Sequence, residues 1–284
     1  MTNLKPLFKY CGSKTRIGDW LLDNISTNVS MTYCEPFFGG GSVFAMLYNS
    51  DKIKSGLIND IDSELMLLYN TIKYKVEDFI NEVELVHSYL IQGAKYSGRF
   101  KASGLPNKDA YNNIKEHYCF NYTKLSDVER SARLYVMMKY CFNGMKKKYN
   151  KYNGYFSTPP GNFPKNFKPV DVELMRSWHQ ALQDFTITSL PIEDLDLKKY
   201  NTVYMDPPYR DFSINYENSF NDSQLQALID IVKTTSNSYL SNWLDDPAWW
   251  HSACEGLTIK VKEHTHTAGR GKAAAKVQEI LVLK

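Results

Sequence analysis

The sequence predicts an α/β fold in which a mainly parallel sheet is interrupted by an inserted, mostly helical segment containing a β-hairpin. Three observations support this prediction. Strand-like and helix-like runs alternate at both ends of the chain, a glycine-rich loop follows the first strand-like run, and the middle has helical periodicity. The chain has 284 residues, 43% of them apolar, which is enough for one large domain with an insertion.

The N-terminal part is predicted to open with a helix followed by a β-α-β unit. Apolar residues recur at helical spacing over residues 17–25, and the next apolar run is short enough for a strand. A tight loop over residues 35–41 then leads to a helix that Ser42 caps. The predicted elements are strands over residues 32–34 and 55–59, the second ending in Asp60, and helices over 42–48 and from Asp62 or Ser63 to 73.

The middle of the chain is predicted to form the insertion. Residues 74–142 have helical periodicity, which a loop over residues 93–109 interrupts. Two Asn-Gly pairs follow, at Asn143 and Asn153, and this dipeptide favours the tight turn of a hairpin. We therefore expect a β-hairpin there, and we assign residues 74–169 to the insertion and residues 1–73 and 170–284 to the sheet domain.

The sheet is expected to resume after the insertion. Leu225, Leu228, Ile229 and Val232 share one face of a predicted helix over residues 223–233, which Asn221 or Asp222 caps. The predicted strands cover residues 185–188, 202–205, 238–240, 257–263 and 277–283, and the last two flank a basic loop.

The basic residues are concentrated in one stretch of the chain. The net charge is only +3, but no Asp or Glu occurs between Glu129 and Asp171, where nine Lys and Arg residues alternate with aromatic ones. Such a basic, aromatic stretch is typical of a nucleic-acid-binding surface. Charge alone is equally compatible with a solvated loop.

The cysteines and histidines give no sign of a metal site. The five cysteines are scattered without a C-x-x-C pair, which argues for reduced thiols and against structural zinc. His264 and His266 form an H-x-H pair, but no cysteines or clustered carboxylates accompany them. The sequence also lacks a signal peptide and a membrane-spanning apolar run, so we expect a cytoplasmic protein with no membrane partner.

The glycine-rich loop and the acid after the second strand suit a nucleoside ligand. The run EPFFGGGSVF lets a ligand approach the backbone, but Phe44 stands where a dinucleotide-binding loop has its third glycine. Asp60 follows the next strand, where a carboxylate can accept both hydroxyls of a ribose. These features favour an adenosine-containing ligand, and the alternative is a loop whose glycines serve only the turn.

The tetrapeptide Asp206-Pro207-Pro208-Tyr209, at the end of a predicted strand, suits activation of an aromatic amine. The exocyclic amine of adenine is a poor nucleophile because its lone pair is delocalised into the ring. The Asp206 carboxylate and the main-chain carbonyl of Pro207 could accept both amine hydrogens and localise that pair toward an electrophile. Consecutive prolines hold the carbonyl rigidly, and Tyr209 offers a flat face for an unstacked base.

Together the motifs resemble the amino-group DNA methyltransferases that use S-adenosylmethionine, specifically the Dam-type, adenine-specific group (D12 class, alpha group). The resemblance rests on FKYCGSK, EPFFGGGSVF, LINDIDSELMLLYN, YCFNGMKKKYNKYNGYF, VYMDPPY and YLSN, in the family's order. It implies a Rossmann-like, seven-stranded methyltransferase sheet with residues 74–169 as target-recognition domain. It also implies direct methyl transfer to N6 of an adenine flipped out of double-stranded DNA, S-adenosylhomocysteine as product, and neither a covalent intermediate nor a metal.

The same resemblance assigns three sets of site residues. The catalytic set would be Asp206, Pro207 and Tyr209. The cofactor would be held by Tyr10 and Lys14 lying over it, Phe37, Gly39 and Gly41 at its methionine portion, Asp60 at its ribose and Asp206 at its amino group. DNA would be bound by Lys139, Asn143, Lys146, Lys147, Lys148, Lys151, Tyr152, Asn153 and Arg270.

Two departures from the family pattern concern the opening motif and the recognition segment. Ser13 replaces the usual second glycine of the opening motif, while Tyr10 keeps the aromatic ring that precedes it. The family's FNGLxRxN becomes FNGMKKKYN, so Lys replaces an Arg that would read guanine better. The family's GATC target therefore need not carry over, and the recognition sequence stays open.

Other function classes differ in how well they fit. Cytosine N4 methyltransferases use the same amine chemistry and remain an alternative, as does a catalytically silent DNA-binding relative. Cytosine C5 enzymes are excluded because no cysteine here follows a proline. A nicotinamide dehydrogenase would explain Asp60 but not the Asp206 tetrapeptide. A cognate restriction endonuclease would be a partner if the enzyme belongs to a restriction–modification pair, and the oligomeric state is open.

Overall fold

The computed structural model describes residues 3–92, 108–146, 155–162, 170–209, 220–266 and 275–284. The chain divides into two compact units. The sheet unit comprises residues Lys14–Phe38, Val43–Ile61 and Asp184–Lys284, and the helical unit comprises Met1–Ser13, Gly39–Ser42 and Asp62–Gln183.

The sheet unit is built on a mixed sheet, which among the described residues has seven strands in the order β3-β2-β1-β4-β5-β7-β6. Neighbouring strands from β3 to β5 are parallel, and β7 is antiparallel to both β5 and β6. This confirms the predicted α/β fold and the seven-stranded sheet. The strands are β1 (Thr32–Glu35), β2 (Ser55–Asn59), β3 (Phe185–Thr188), β4 (Thr202–Met205), β5 (Ser238–Trp243), β6 (Thr258–His266) and β7 (Ala275–Leu283).

Four helices lie wholly or mostly in the sheet unit. They are α1 (Gly18–Asn24), α2 (Ser42–Asn49), α8 (Asp222–Thr234) and α9 (Pro247–Ala253). The predicted apolar face of α8 is buried in one cluster with residues of β4, β5 and β7, and each such side chain contributes about 1.5–3 kcal/mol. Helix α9 was not predicted; Asp246 caps it, Pro247 begins it, and Trp250 is fully buried.

Strands β5 and β6 are longer than predicted. Ser241 and Asn242 extend β5, and both are fully buried although they are polar. Strand β6 continues to His266 because it stays paired with β7 as far as the His266–Ala275 pair. Apart from Val261, its exposed side chains are charged or polar, as is usual for an edge strand, so apolar periodicity could not reveal its length.

The helical unit contains five α-helices among the described residues. They are α3 (Ser63–Tyr74), α4 (Val76–Gln92), α5 (Lys108–Phe120), α6 (Asp127–Tyr140) and α7 (Val172–Leu182). Helix α6 begins with a capping box of Ser126 and Glu129, and Asp62 caps α3, as predicted. The unit is larger than the insertion predicted at residues 74–169, since α3 and α7 pack within it. The predicted functional division of the chain stays a prediction.

Part of the basic stretch lies in the core of the helical unit. Arg133 is fully buried, and its Nη1 lies 3.0 Å from Oε1 of Glu82 and 2.8 Å from the carbonyl oxygen of Glu129. A buried guanidinium needs such partners, because an unpaired buried charge is strongly destabilising. Arg133 therefore stabilises the helices and does not contribute to a basic surface.

The Asn143-Gly144 pair forms a tight turn. Both residues have positive φ, 55° and 67°, as a primed turn requires, and the Met145 amide donates to the carbonyl oxygen of Phe142 at 3.3 Å. Within the described residues this turn does not join two strands, and Cys141 makes only an isolated antiparallel bridge with Pro160. The second predicted turn, at residues 153–154, lies outside the described ranges. Over the residues that the structure describes, no helix is long and apolar enough to cross a membrane.

Candidate active site

Three neighbouring parallel strands of the sheet unit end in acidic residues. Glu35 is the last residue of β1, and Asp60 and Asp206 directly follow β2 and β4. Strand β1 lies between β2 and β4, which is where the strand order of the sheet reverses direction. In open α/β sheets, ligands bind in the crevice outside the carboxyl ends of the strands at such a point. The fold therefore places two predicted site residues, Asp60 and Asp206, at this edge.

A buried lysine holds Asp206 and the tyrosine that follows it. The side chain of Lys14 is only 3% exposed, and its Nζ lies 2.9 Å from Oδ1 of Asp206. The same ammonium donates to the hydroxyl of Tyr209 at 2.7 Å and lies 2.8 Å from Oε1 of Glu279. Burial alone would lower the pKa of Lys14, but the surrounding Asp206, Tyr209 and Glu279 raise it well above its ordinary value.

Asp206 is a perturbed carboxylate that is still ionised at neutral pH. Burial raises its pKa to about 6; Lys14 opposes this shift, and the negative charge of Glu279 adds to it. Strand β4, which leads to Asp206, is buried along its whole length, so the backbone that carries the carboxylate is held firmly in place. An ionised carboxylate accepts hydrogen bonds and donates none, which suits it to take a hydrogen from a substrate amine.

Tyr209 is held at both its ring and its hydroxyl. Its ring stacks on Trp243, with centroids 4.6 Å apart and planes 25° apart. Its hydroxyl lies 3.3 Å and 3.4 Å from the two carboxylate oxygens of Glu279. One face of the ring is thus supported by another aromatic side chain. Neither Trp243 nor Glu279 was a predicted site residue.

Glu279 is the residue of this cluster that sequence reasoning missed. It lies on β7, is 1% exposed, and receives a hydrogen bond from Ser241 Oγ at 3.1 Å. Nε2 of His264 lies 3.5 Å from its Oε2. A single acid inside an apolar strand belongs to no motif, and only the sheet register brings it to Lys14 from the other end of the chain.

Asn59, the last residue of β2, is a second residue that the sequence did not reveal. Its buried amide Nδ2 donates to the carbonyl oxygens of Pro36 and Leu190, and its Oδ1 accepts from Thr188 Oγ1 and the Leu190 amide. These bonds join the segments that follow β1 and β3. Asn59 therefore shapes the edge that carries Glu35 and Asp60.

Two further residues lie near this edge: Phe37, which was a predicted site residue, and Glu35, which was not. Phe37 is half-buried and packs edge-to-face on Phe220, with ring centroids 5.6 Å apart. Glu35 is buried and accepts a hydrogen bond from the Tyr33 hydroxyl at 2.9 Å. Burial raises the pKa of Glu35 well above its ordinary value, as do the charges of Asp206 and Asp60, although the Tyr33 bond opposes the shift.

Tyr10 and the predicted loop glycines belong to the helical unit. A Cβ atom on Gly40 would lie 2.6 Å from Cβ of Tyr10, and one on Gly39 would lie 3.0 Å from Cε1 of the same ring. Gly39 and Gly41 have φ of 50° and 66°, which side chains rarely adopt. In this structure the glycines therefore serve both the turn and the close packing of Tyr10.

The predicted DNA-binding residues are only partly described. Lys139 is half-buried beside the Tyr135 ring, and Asn143 forms the turn already described. Six of the predicted residues, Lys147, Lys148, Lys151, Tyr152, Asn153 and Arg270, lie outside the described ranges.

Lys146, a predicted DNA-binding residue, lies in a buried ion-pair cluster. Its side chain is 5% exposed, and its Nζ lies 2.5 Å from Oδ1 of Asp62 and 2.9 Å from Oε2 of Glu64. An ammonium that is buried and neutralised by two carboxylates is not presented to a DNA phosphate. Lys146 instead fastens the segment after the Asn143 turn to the start of α3.

No group of three or more His, Cys, Asp or Glu side chains is arranged to hold a metal ion within the described ranges. The five cysteines are free thiols, and all except Cys11 are buried. Burial raises the pKa of Cys141 and Cys119 to about 12, so these thiols stay protonated and unreactive at neutral pH.

Comparison with known proteins gives a consistent family. The family described as D12 class N6 adenine-specific DNA methyltransferase matches residues 10–248. The type II methyltransferase M.MjaIII of Methanocaldococcus jannaschii is 27% identical over 223 residues, covering 76% of this chain and 72% of that protein. The type II methyltransferase M1.LlaDCHI of Lactococcus lactis subsp. cremoris is 31% identical over 218 residues, with coverages of 73% and 66%. The DNA adenine methylase of Escherichia coli K12 is 24% identical over an alignment of 298 positions, covering 100% of this chain and 96% of that protein.

Proposed function

Because the chain belongs to the D12 class of N6 adenine-specific DNA methyltransferases, we propose that it transfers a methyl group from S-adenosylmethionine to N6 of an adenine flipped out of double-stranded DNA. The observation that carries the proposal is the Lys14–Asp206 pair at the carboxyl end of β4. This pair supplies a fixed, ionised acceptor at the edge where α/β sheets bind their ligands.

The proposed chemistry is activation of the adenine amine by two acceptors. Oδ1 of Asp206 is engaged by Lys14, and among the described residues Oδ2 has no hydrogen-bond partner. Oδ2 would accept one amine hydrogen, and the main-chain carbonyl of Pro207 would accept the other. The lone pair would then point out of the ring system, and the acceptors would stabilise the positive charge that develops on nitrogen. The proton leaves to Asp206 or to solvent once the new bond has formed.

The sheet-unit edge fits a cofactor that carries both a ribose and positive charge. S-adenosylmethionine supplies, when bound, a methyl group on a cationic sulfur. The ionised Asp206 carboxylate at the end of β4 suits such a cation. Asp60 would accept hydrogen bonds from the ribose hydroxyls, and Phe37 would pack on the methionine portion. Lys14 would act through Asp206, its observed partner. Tyr10, Gly39 and Gly41 stay predictions from the family resemblance.

Tyr209 would support the extruded base. Flipping costs a few kcal/mol, which stacking in the pocket and hydrogen bonds to the base must offset. Since Trp243 covers one face of the Tyr209 ring, the adenine would stack on the opposite face. Lys139 and Asn143, together with the predicted residues outside the described ranges, would bind the duplex. The protein would act in the cytoplasm, where prokaryotic or phage DNA is accessible.

The cytosine N4 alternative shares this chemistry but gains no support from the family match, which is adenine-specific. A silent DNA-binding relative would be expected to have lost the Lys14–Asp206 arrangement, which is present. A cognate restriction endonuclease remains a proposal. Two of the relatives carry the name type II methyltransferase, but nothing in this chain identifies such a partner.

The proposal is tested by incubating the protein with methyl-labelled S-adenosylmethionine and either duplex DNA, single-stranded DNA or RNA. We expect label in unmethylated duplex DNA, and mapping of the labelled sites would give the recognition sequence. The protein should also bind S-adenosylmethionine in the absence of DNA. Cofactor binding without label in any nucleic acid would contradict the proposed function.

The perturbed carboxylate predicts the acid side of the activity profile. Protonated Asp206 cannot accept the amine hydrogen, so kcat/KM should fall tenfold per pH unit below the pKa of about 6. If Asp206 had the ordinary pKa of an aspartate, kcat/KM would begin to fall about two pH units lower. The measurement is kcat/KM against pH, with DNA binding followed separately by fluorescence anisotropy at each pH. Undiminished kcat/KM down to about pH 4.5 would contradict this assignment.

A further inference from the structure

The amine-activation chemistry makes no use of Glu279, although this carboxylate is buried in the same cluster. Taking a carboxylate out of water is costly unless partners compensate the lost hydration. Oε1 of Glu279 lies 2.8 Å from Nζ of Lys14 and accepts from Ser241 Oγ at 3.1 Å. Both oxygens are within 3.4 Å of the Tyr209 hydroxyl. A charge held at this cost, against two residues of the site, is difficult to explain by packing alone.

We propose that Glu279 is a positioning residue for methyl transfer, fixing Asp206 through Lys14 and fixing Tyr209 through its hydroxyl. The inference rests on the proposed function, since it assigns a task to a further residue of the same site. It concerns the orientation of the acceptor carboxylate, and Glu279 itself does not touch the substrate.

The geometry shows how Glu279 could act at a distance. The Lys14 ammonium has three hydrogens, and its partners among the described residues include Asp206, Tyr209 and Glu279. Glu279 is fixed on β7 and accepts a hydrogen bond from Ser241, so a second carboxylate besides that of Asp206 holds the ammonium. In this arrangement Lys14 contacts Oδ1 of Asp206, and Oδ2 would be left for the amine. Without Glu279, the ammonium could shift toward Asp206 and engage both of its oxygens.

The negative charge of Glu279 also affects the pKa of Asp206, in the direction opposite to that of Lys14. The groups facing Asp206 are Lys14, Glu279, Glu35, Tyr204 and Tyr209, and His264 faces Glu279 from β6. Glu279 raises the pKa of Asp206 because it is a like charge. Neutralising Glu279 therefore lowers the pKa of Asp206, while the loss of positioning slows the reaction. A residue that acted through packing alone, without its charge reaching Asp206, would not move this pKa.

The test compares Glu279→Gln with the wild-type protein in single-turnover methylation of a duplex containing the mapped site. We expect the rate at neutral pH to fall by about 10- to 100-fold, as for a misplaced reacting group. We also expect the acid limb of the pH–rate profile to move by about one pH unit to lower pH. A second readout needs no activity. In the free protein labelled with 13C at aspartate side-chain carboxyls, the resonance that Asp206→Asn removes should titrate at lower pH in Glu279→Gln.

The matched control is Glu263→Gln on the neighbouring strand β6. Glu263 pairs with Lys276 at 2.8 Å on the surface, and its loss should change neither the rate nor the titration. Glu279→Asp keeps the charge, but its shorter side chain moves the carboxylate away from Lys14 and Tyr209. The rate should therefore fall, while the acid limb of the pH–rate profile stays near that of the wild type. This variant decides the matter if Glu279→Gln fails to fold.

A folded Glu279→Gln protein with the wild-type rate, or with an unmoved Asp206 titration, would overturn the inference. So would a wild-type rate in Glu279→Asp. Failure of the wild-type protein to methylate DNA would instead overturn the proposed function, whereas the NMR titration of Asp206 can be measured in either case. The two failures are therefore distinguishable.

Discussion

Asp206→Asn is expected to lower the single-turnover rate of methyl transfer by about a thousand-fold, while the protein stays folded. Asparagine has the same shape, but its amide carries no charge. The developing positive charge on the adenine nitrogen therefore loses its main acceptor, and removal of one preorganised electrostatic group costs about 10²–10³ in rate. Lys14 also loses the charge of Asp206, while that of Glu279 stays. The measurement is rapid-quench methylation at saturating cofactor and DNA.

Two controls separate this loss from a folding defect. Asp230→Asn removes an exposed aspartate of α8 that pairs with Lys233 at 3.6 Å, and it should leave the rate unchanged. Asp206→Asn itself should keep the melting temperature and the DNA affinity close to those of the wild type. A folded Asp206→Asn protein with a rate within a few-fold of the wild type would refute the role of Asp206.

Lys146→Met is expected to lower the free energy of unfolding by about 3 kcal/mol. The number of contacts between the protein and DNA phosphates should stay the same. The substitution removes the buried ammonium that neutralises the carboxylates of Asp62 and Glu64. Breaking a buried ion pair in this way is far costlier than losing a surface pair. The melting temperature should therefore fall by several degrees, as measured by circular dichroism or calorimetry.

The control for this prediction is Lys199→Met, which removes an exposed lysine paired with Asp196 at 3.2 Å. Its loss should cost less than about 1 kcal/mol. DNA binding of Lys146→Met, measured against salt below its melting transition, should keep the wild-type slope of log K against log[salt]. A slope reduced by about one, with an unchanged melting temperature, would place Lys146 on a DNA phosphate after all.

The parts of the fold that local sequence predicts well are the elements with a strong pattern. Strands β2, β3 and β4 have the bounds that the sequence predicts, and the capping residues Asp62 and Asn221 mark the starts of α3 and α8. Asp60 and Asp206 were identifiable because each follows such a strand. Parallel neighbours then bring their carboxyl ends to one edge without any further information.

The parts that could not be predicted depend on contacts between distant segments. Glu279 and Lys14 come from opposite ends of the chain, and nothing in the local sequence of either residue indicates that the two pair. Lys146 appeared to belong to a basic surface because composition gives its charge but not the acids at the start of α3. Arg133 was counted in the basic stretch for the same reason, since its partner Glu82 lies on another helix. Charge counts predict partners only for side chains that stay in solvent.

The central claim is that Asp206 activates the amine of an adenine. Its most direct test is nucleoside analysis of unmethylated genomic DNA after incubation with S-adenosylmethionine and either wild-type protein or Asp206→Asn. The account predicts N6-methyladenine with the wild-type protein and almost none with Asp206→Asn over the same interval. N4-methylcytosine as the product, or equal N6-methyladenine from both proteins, would contradict it.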